Sequence, residues 1–412
     1  MICFLAASVG LPIALVSIAK LLLLLGGIAT LLKSHSWVSS ATDFRQSKTT
    51  SAVLLTLFIF ALSISWTSAN IFDALSSLGK YGKLLIIPVI LVLIKNRKEA
   101  LVALAAFAAT QLFLLASSSM QYLHIPVPWA ISKVAVTQNA TFSSYLDQGI
   151  MNAVFAGVCW HLRAYIPGRF GRHLAVGAAA IALFNVFFVF QGRSGHAVAI
   201  LLMSLAIMWE LPKRYRISVV LFPVMLLFSI SLISPKVKER LARLDNEIQL
   251  SSFGEGGSIV SGTSSGIRLH LWHRGLQSIE QSPLAGSGVG SWNSEFNRLE
   301  HAQNPKHKDI PPLGNPHQEY LHWGVQLGIP GLFLFVSLMG AVISDSMKME
   351  KNQARVLQSV LVAFAAACLF NSSLYDALIG DFFCVLFGLL LAFGRFRKPQ
   401  NEARSSNTSS SA

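Results

Sequence analysis

Long apolar runs alternate with short polar segments along most of this chain. A helix needs roughly 20 apolar residues to cross a bilayer, so the pattern predicts an all-α integral membrane protein with about 12 transmembrane helices. Several runs are shorter than that, so their ends must extend into flanking polar sequence, or some must be re-entrant. The runs lie at about 2–19, 21–32, 51–69, 83–94, 100–118, 146–162, 174–191, 196–210, 217–233, 319–342, 356–374 and 380–394.

Composition and charge agree with a membrane protein. Hydrophobic residues make up 53% of the chain and charged residues 13%, with a mean hydropathy of +0.55, which argues against a soluble globular domain. The net charge is +14, and 19 of the 33 lysines and arginines fall in loops that a twelve-span topology places on one side. The positive-inside rule makes that side cytoplasmic, with both termini inside. Topology therefore explains the charge, and we expect no nucleic-acid partner. These loops are 33–50, 95–99, 163–173, 212–216, 345–355 and 395–404.

The longest polar stretch between apolar runs is the 84 residues from Pro235 to Gln318. Apolar residues at helical spacing predict an amphipathic helix at 235–250, followed by a Gly/Ser-rich connector and two more helices at 267–281 and 292–302. The predicted organisation is 1–234 with transmembrane spans 1 to 9, 235–318 as a non-cytoplasmic loop with amphipathic helices, 319–394 with spans 10 to 12, and 395–412 as a disordered cytoplasmic tail.

A histidine follows an Asn-Pro pair where this loop meets the next apolar run. Asn315 can cap a helix and Pro316 suits its first position, so we expect His317 in the first helical turn. The positive potential there favours neutral imidazole and attracts anions, which is what a general base beside a phosphate leaving group needs. An ordinary helix cap at the membrane interface explains the same residues.

Several cations on the non-cytoplasmic side are candidates for binding phosphate. Arg193 lies at the end of an apolar run between glycines, although an arginine there can also snorkel to the interface. In the helix predicted at 267–281, Arg268 shares a face with apolar residues and is the better candidate to face inward, whereas Arg274 is expected to be solvated. Lys80 and Lys83 lie close to a span, where either phosphate contact or snorkelling accounts for them.

Other patterns limit the chemistry. Gly286, Gly288 and Gly290 follow no predicted strand, so they do not predict a dinucleotide site; a tight loop is the simpler interpretation, and backbone amides for an anion are the alternative. No paired carboxylate motif is present that would hold a divalent metal against a pyrophosphate. We therefore expect no metal and no cofactor, with cations stabilising the leaving group instead.

Four motifs together resemble the O-antigen ligase and polymerase superfamily of bacterial envelopes. They are QGRSGH at 191–196, GIRLHLW at 266–272, SPLAGSGVGSW at 282–292 and NPHQEYLHWGVQLGIPGL at 315–332. The resemblance covers mainly residues 185–335. One large loop favours the ligase, since polymerases of the superfamily often show two, and the protein-glycosylating members usually carry a C-terminal extension.

The resemblance implies a bundle of the lipid-dependent, GT-C-like glycosyltransferase type in the bacterial inner membrane, with a periplasmic active site. It implies transfer of O-antigen from undecaprenyl pyrophosphate to lipid A-core oligosaccharide, in lipopolysaccharide biosynthesis. Arg193 and Arg268, with Lys80 and Lys83, would bind the donor pyrophosphate, and His317 would be the catalytic base of a metal-independent, inverting displacement. The alternatives are an O-antigen polymerase, a protein O-oligosaccharyltransferase, or, in a different class, a lipid-linked sugar transporter.

Overall fold

The computed structural model describes residues 1–33, 47–130, 138–216, 264–303 and 314–396, and the regular elements in these ranges are all helices. The α-helices are α1 Ile2–Ser8, α2 Ile13–Lys33, α3 Lys48–Leu62, α4 Ile71–Tyr81, α5 Ile86–Leu93, α6 Arg97–Tyr122, α7 Tyr145–Leu162, α8 Arg169–Phe184, α9 Arg193–Glu210, α10 Ser264–Gln281, α11 Trp292–Gln303, α12 Glu319–Ser346, α13 Lys351–Phe370 and α14 Ala377–Arg395. A 3-10 turn, Gly82–Leu85, joins α4 to α5.

The all-α membrane fold is confirmed, but the count of twelve spans is not. Eight helical segments of the described residues are long and apolar enough to cross a membrane. The predicted division between runs 2–19 and 21–32 is wrong, because α2 continues unbroken through Lys20, whose ammonium pairs with the Asp381 carboxylate of α14 at 2.7 Å. The expected span at 217–233, the helix at 235–250, most of the Gly/Ser-rich connector and all but the first two residues of the tail predicted at 395–412 lie outside the described residues.

The described parts of the basic loops meet at one end of the bundle, which we call the basic end. There the Asp345 carboxylate, at the end of α12, accepts hydrogen bonds from the start of α3, including the Thr49 amide at 2.9 Å. Likewise Tyr165 donates to Glu350 at 3.0 Å. The opposite end, where α9, α12 and α14 begin, carries the candidate chemistry and is called the site end.

Glycines allow α7 and α9 to cross closely near the site end. A Cβ placed on Gly195 would lie 3.1 Å from the Gly149 carbonyl carbon, so each glycine leaves room for the other's backbone. Gly192 packs in the same way on Leu146 and Tyr145. The glycines that flank Arg193 thus fix the start of α9 against α7.

The predicted helices at 267–281 and 292–302 form as α10 and α11, and a small apolar cluster packs them onto the start of α12. The cluster contains Leu271, Ile279, Trp292, Phe296, Leu321 and Val325. α12 itself bends at Gly328, whose φ of 69° is outside the helical region. The Ile329 amide just beyond the bend donates to the Pro283 carbonyl at 2.7 Å, so the bend is tied to the loop.

Candidate active site

His317 lies just before α12 and not in its first turn, so the predicted helix start at Asn315 is wrong. The helix begins at Glu319, and the Gln318 side chain caps it by accepting from the Leu321 amide at 2.6 Å. Asn315 instead accepts from the amide of His317, two residues on, at 2.9 Å. This local turn replaces the expected cap, and His317 adopts a left-handed φ of 52°. Such backbone is uncommon for a non-glycine residue and is enriched at functional sites.

A chain of hydrogen bonds fixes the imidazole orientation. The side-chain amide group of Asn371 donates to the Asp376 carboxylate. The Asn371 Oδ1 therefore faces the His317 Nδ1, at 3.2 Å. Since an amide oxygen only accepts, Nδ1 must carry the proton in the neutral ring, and the lone pair on Nε2 has no hydrogen-bond partner among the residues that the structure describes. Asn315 Nδ2 also donates to the Asp376 Oδ1 at 3.0 Å. Burial raises the pKa of Asp376, while His317 and Lys83 act in the opposite direction.

The segment that carries Asn371 and Asp376 is anchored by a buried carboxyl group. One oxygen of Glu319 accepts from the amides of Leu374 and Tyr375 at 2.9 and 3.1 Å, and the other from the Trp323 indole at 2.9 Å. Glu319 is completely buried, so each of these donors would be unpaired without it. The first turn of α12 and the 371–376 turn therefore form one rigid unit around His317.

Arg193 and Arg268 form a second group, at the start of α9 and in the first half of α10. Arg193 is exposed and Arg268 half-buried, and neither has a hydrogen-bond or ion-pair partner within the described part of the chain. Burial and the neighbouring Arg193 cation lower the pKa of Arg268, with Tyr145 opposing. Two close, unpaired guanidinium groups leave a positive potential that an anion would relieve.

The arginine pair and the turn at residues 315–317, which we call the His317 turn, both lie at the same end of α7. Tyr145, the first residue of that helix, lies within electrostatic range of Arg268, and Asp147, two residues on, within that of Asp376. The structure therefore gathers the predicted histidine and both predicted arginines at the site end.

Arg274 is not solvated, contrary to the sequence-based expectation. It is 3% exposed, and its guanidinium donates to Glu300 at 2.5 Å and to Gln303 at 2.6 Å. Burial alone would raise the pKa of Glu300, but hydrogen bonds from His270 and Arg274 lower it below its ordinary value. Arg274 thus joins α10 to α11, which leaves Arg268 as the arginine of this helix available to a ligand.

Lys80 and Lys83 line a cavity of about 730 Å³ beside the His317 turn. Lys83 is buried, and its ammonium donates to the backbone carbonyls of Tyr375 and Asp376 at 3.3 and 2.6 Å. Lys80 is exposed, and its ammonium lies 4.1 Å from the centre of the Tyr375 ring. These contacts place both lysines on the 371–376 turn and not on the arginine pair. The other lining residues include Lys20 and apolar residues of α2, together with Asn315 and Asp376.

The glycine loop does not present free amides to an anion. Ser287 and Gly288 donate to the carbonyls of Val325 and Gln326 at 2.9 and 2.8 Å. The Gly290 amide donates to the side chain of the same glutamine at 3.0 Å. The three glycines have positive φ, and a Cβ on Gly286 would lie 2.5 Å from the α12 backbone. The tight-loop interpretation is confirmed: the loop attaches α10 and α11 to the bend in α12.

Comparison with known protein families gives a match over residues 178–336, to the family described as O-antigen ligase. The matched segment carries Arg193, Arg268 and His317 in the positions described above. The chain has the domain of the O-antigen ligase superfamily. Members of this family are glycosyltransferase-like ligases or polymerases, so the match supports that general enzyme class, and it supports a membrane setting with lipid-linked polysaccharide substrates. No curated protein matches the chain.

Much of the site lies outside the matched domain. Asn371, Asp376, Lys80 and Lys83 all belong to other parts of the chain, as does Lys20. Sequence reasoning missed Asn371 because the apolar run was taken to continue to residue 374, whereas α13 ends at Phe370. It missed Asp376 because a single carboxylate between two apolar runs forms no motif. The signal that could have revealed them is the polar stretch NSSLYD, at the same predicted side of the membrane as His317.

Proposed function

We propose that this protein is an O-antigen ligase, which transfers O-antigen polysaccharide from undecaprenyl pyrophosphate to lipid A-core oligosaccharide in the bacterial inner membrane. The observation that carries the chemistry is the orientation of His317, whose Nδ1 faces an amide oxygen and whose Nε2 has no partner within the described ranges of the chain. The basic end is cytoplasmic by the positive-inside rule, so the site end is periplasmic and both termini are inside.

In the proposed step, His317 Nε2 accepts the proton of an acceptor sugar hydroxyl. The hydroxyl oxygen forms a bond to the anomeric carbon as the bond from that carbon to the pyrophosphate oxygen breaks. Undecaprenyl pyrophosphate leaves with the electron pair, and the charge that develops on it is stabilised by Arg193 and Arg268. Attack opposite the leaving group inverts the anomeric configuration. The groups that assist the step are the side chains of His317, Arg193 and Arg268.

Lys80 and Lys83 have different parts in this proposal. Lys80 is exposed at the large cavity and is a further phosphate contact for the lipid-linked substrate. Lys83 has donated two of its hydrogen bonds to the backbone of the 371–376 turn, so its main contribution is to hold that turn. The cavity itself gives a lipid-anchored substrate a route to the His317 turn, because Asn315 and Asp376 line it.

The test is a transfer assay with purified protein, lipid-linked O-antigen and lipid A-core acceptor, using His317→Ala and His317→Asn. Asparagine tolerates the left-handed backbone at this position but has no basic nitrogen, so it controls for a local change of fold. General base catalysis contributes about 10² to 10⁴-fold, so both variants should lose single-turnover transfer by that factor while donor binding stays near wild type.

Other outcomes would redirect the proposal. If donor binding collapses while transfer at saturating donor is unchanged, His317 is a donor ligand and the base lies elsewhere. Elongation on the lipid carrier without lipid A-core would indicate a polymerase, and transfer to protein hydroxyls an O-oligosaccharyltransferase. Movement of the lipid-linked sugar across vesicles with no new bond would indicate a transporter.

A further inference from the structure

A second polar cavity lies at the basic end of the bundle, away from the candidate active site. Its volume is about 320 Å³, and it lies among the ends of α7 and α9 and the starts of α8 and α13. The side chains that define its charge are three arginines, two histidines and one carboxylate: Arg163, Arg172, Arg355, His161, His173 and Glu210.

The cationic groups of this cavity are only partly neutralised. Arg355 pairs with Glu210 at 3.0 Å, and Arg163 donates to the Trp160 carbonyl. Arg172 and His173 are exposed and have no hydrogen-bond or ion-pair partner within the residues that the structure describes. The one carboxylate is therefore taken by Arg355, and the cavity keeps an excess of positive charge on the α8 side.

The neighbours of Arg172 place this charge at the boundary between membrane and water. Phe170 and Leu174, on either side of it in the chain, are 75% and 58% exposed at the start of a segment that can span the membrane. Trp160 and Trp209 lie at the same end, and tryptophans concentrate at the level of lipid headgroups. A ligand in the cavity would thus have cations around its polar part and exposed apolar side chains beside its lipid part.

We propose that this cavity binds the phosphate headgroup of an anionic phospholipid such as phosphatidylglycerol. Basic pockets between transmembrane helices are suited to such headgroups, and a guanidinium can contact a phosphate with two parallel hydrogen bonds. The headgroup bridges α8, through Arg172, to the α7–α8 connection, through Arg163. This site is independent of the transfer reaction, since its residues belong to the opposite end of the bundle.

The test is native mass spectrometry of the purified full chain titrated with phosphatidylglycerol, phosphatidylcholine or inorganic phosphate. Arg172→Gln removes one exposed cavity cation, and Lys98→Gln is the matched control, an exposed cation at the same end but outside the cavity. The loss of one cation that contacts the bound headgroup costs about 1 kcal/mol, so Arg172→Gln should weaken phosphatidylglycerol binding roughly fivefold. The control should change it by less than about twofold.

The proposal also requires that phosphatidylglycerol binds more tightly than phosphatidylcholine and that Arg163→Gln combined with Arg172→Gln removes this preference. Equal losses in Arg172→Gln and Lys98→Gln would overturn it in favour of a diffuse attraction to the membrane surface. Full displacement of the lipid by millimolar inorganic phosphate would overturn the lipid assignment and indicate a soluble phosphate ligand. The thermal unfolding temperature in lipid-free detergent should be unchanged in Arg172→Gln and in Lys98→Gln, because both of these side chains are exposed.

Discussion

Replacement of Asn371 by aspartate tests whether its side-chain oxygen sets the protonation of His317. In the native chain a neutral amide oxygen lies 3.2 Å from the imidazole Nδ1. The Asn371→Asp variant puts a carboxylate in that position and stabilises the protonated ring, which cannot act as a base. As the pH falls, the variant should therefore lose transfer at a higher pH than wild type does. The acid limb of its pH–rate profile moves to higher pH.

The size of the shift follows from the distance. At about 3.2 Å and an effective dielectric constant of roughly 20, a charge pair interacts by about 5 kcal/mol. His317 is only half-buried, so solvent screens this value, and opposite charges at such range typically shift a titration by about 1 to 3 pH units. The Asp376 carboxylate beside the new aspartate opposes its ionisation, which favours the lower half of that range.

The assay is single-turnover transfer at saturating donor between about pH 5 and 9. Asp376→Asn in the same background removes the competing carboxylate, so the double variant should show the larger shift. Asp376→Asn alone should move the acid limb in the opposite direction, to lower pH, since it removes a carboxylate that interacts with His317. An acid limb that stays at its wild-type position in the double variant would refute both the contact and the assignment of His317 as the titrating base.

The remaining predictions separate donor binding, loop structure and metal dependence. Arg193→Ala and Arg268→Ala should each reduce transfer at limiting donor by about 10 to 150-fold, with Arg193→Lys restoring it only in part; wild-type rates would argue against a phosphate role. Arg274→Ala should leave donor affinity nearly unchanged but destabilise the protein by about 1.5 to 3 kcal/mol in thermal or denaturant unfolding, because the Glu300 carboxylate loses its arginine and keeps only His270. Transfer should persist in excess EDTA, and activity that is lost and then restored by Mg²⁺ or Mn²⁺ would contradict the metal-independent mechanism.

The Arg274–Glu300 pair also predicts how stability depends on pH. Because the pKa of Glu300 is lowered in the folded protein, the pair stabilises the fold above the ordinary carboxyl pKa, and this contribution is lost as the pH falls through the lowered value. Arg274→Ala should reduce this acid sensitivity together with the stability, and the part that remains comes from His270.

The sequence could predict those parts of the site that lie within local motifs. Arg193, Arg268 and His317 are each marked by neighbouring glycines, helical spacing or an Asn-Pro pair, and the structure places all three at one end of the bundle. Spacing within α10 could not reveal that Arg274 is buried, because its partner Glu300 comes from another helix 26 residues away. The helix start at His317 was misplaced because Asn315 closes a local turn, which has the same sequence preference as a cap.

The two groups of candidate residues belong to two different structural units, and this has a consequence for mechanism. His317 is held by hydrogen bonds to the 371–376 turn, whereas Arg193 is fixed by the contact of α9 with α7. Arg268 is carried on α10, whose position relative to α12 depends on the apolar cluster and the glycine loop. In the proposed reaction, a donor bound by the arginines would therefore be positioned against His317 by packing between these units and not by a direct bond between the residues. Changes in that packing should alter the rate of transfer more than they alter the affinity for the donor.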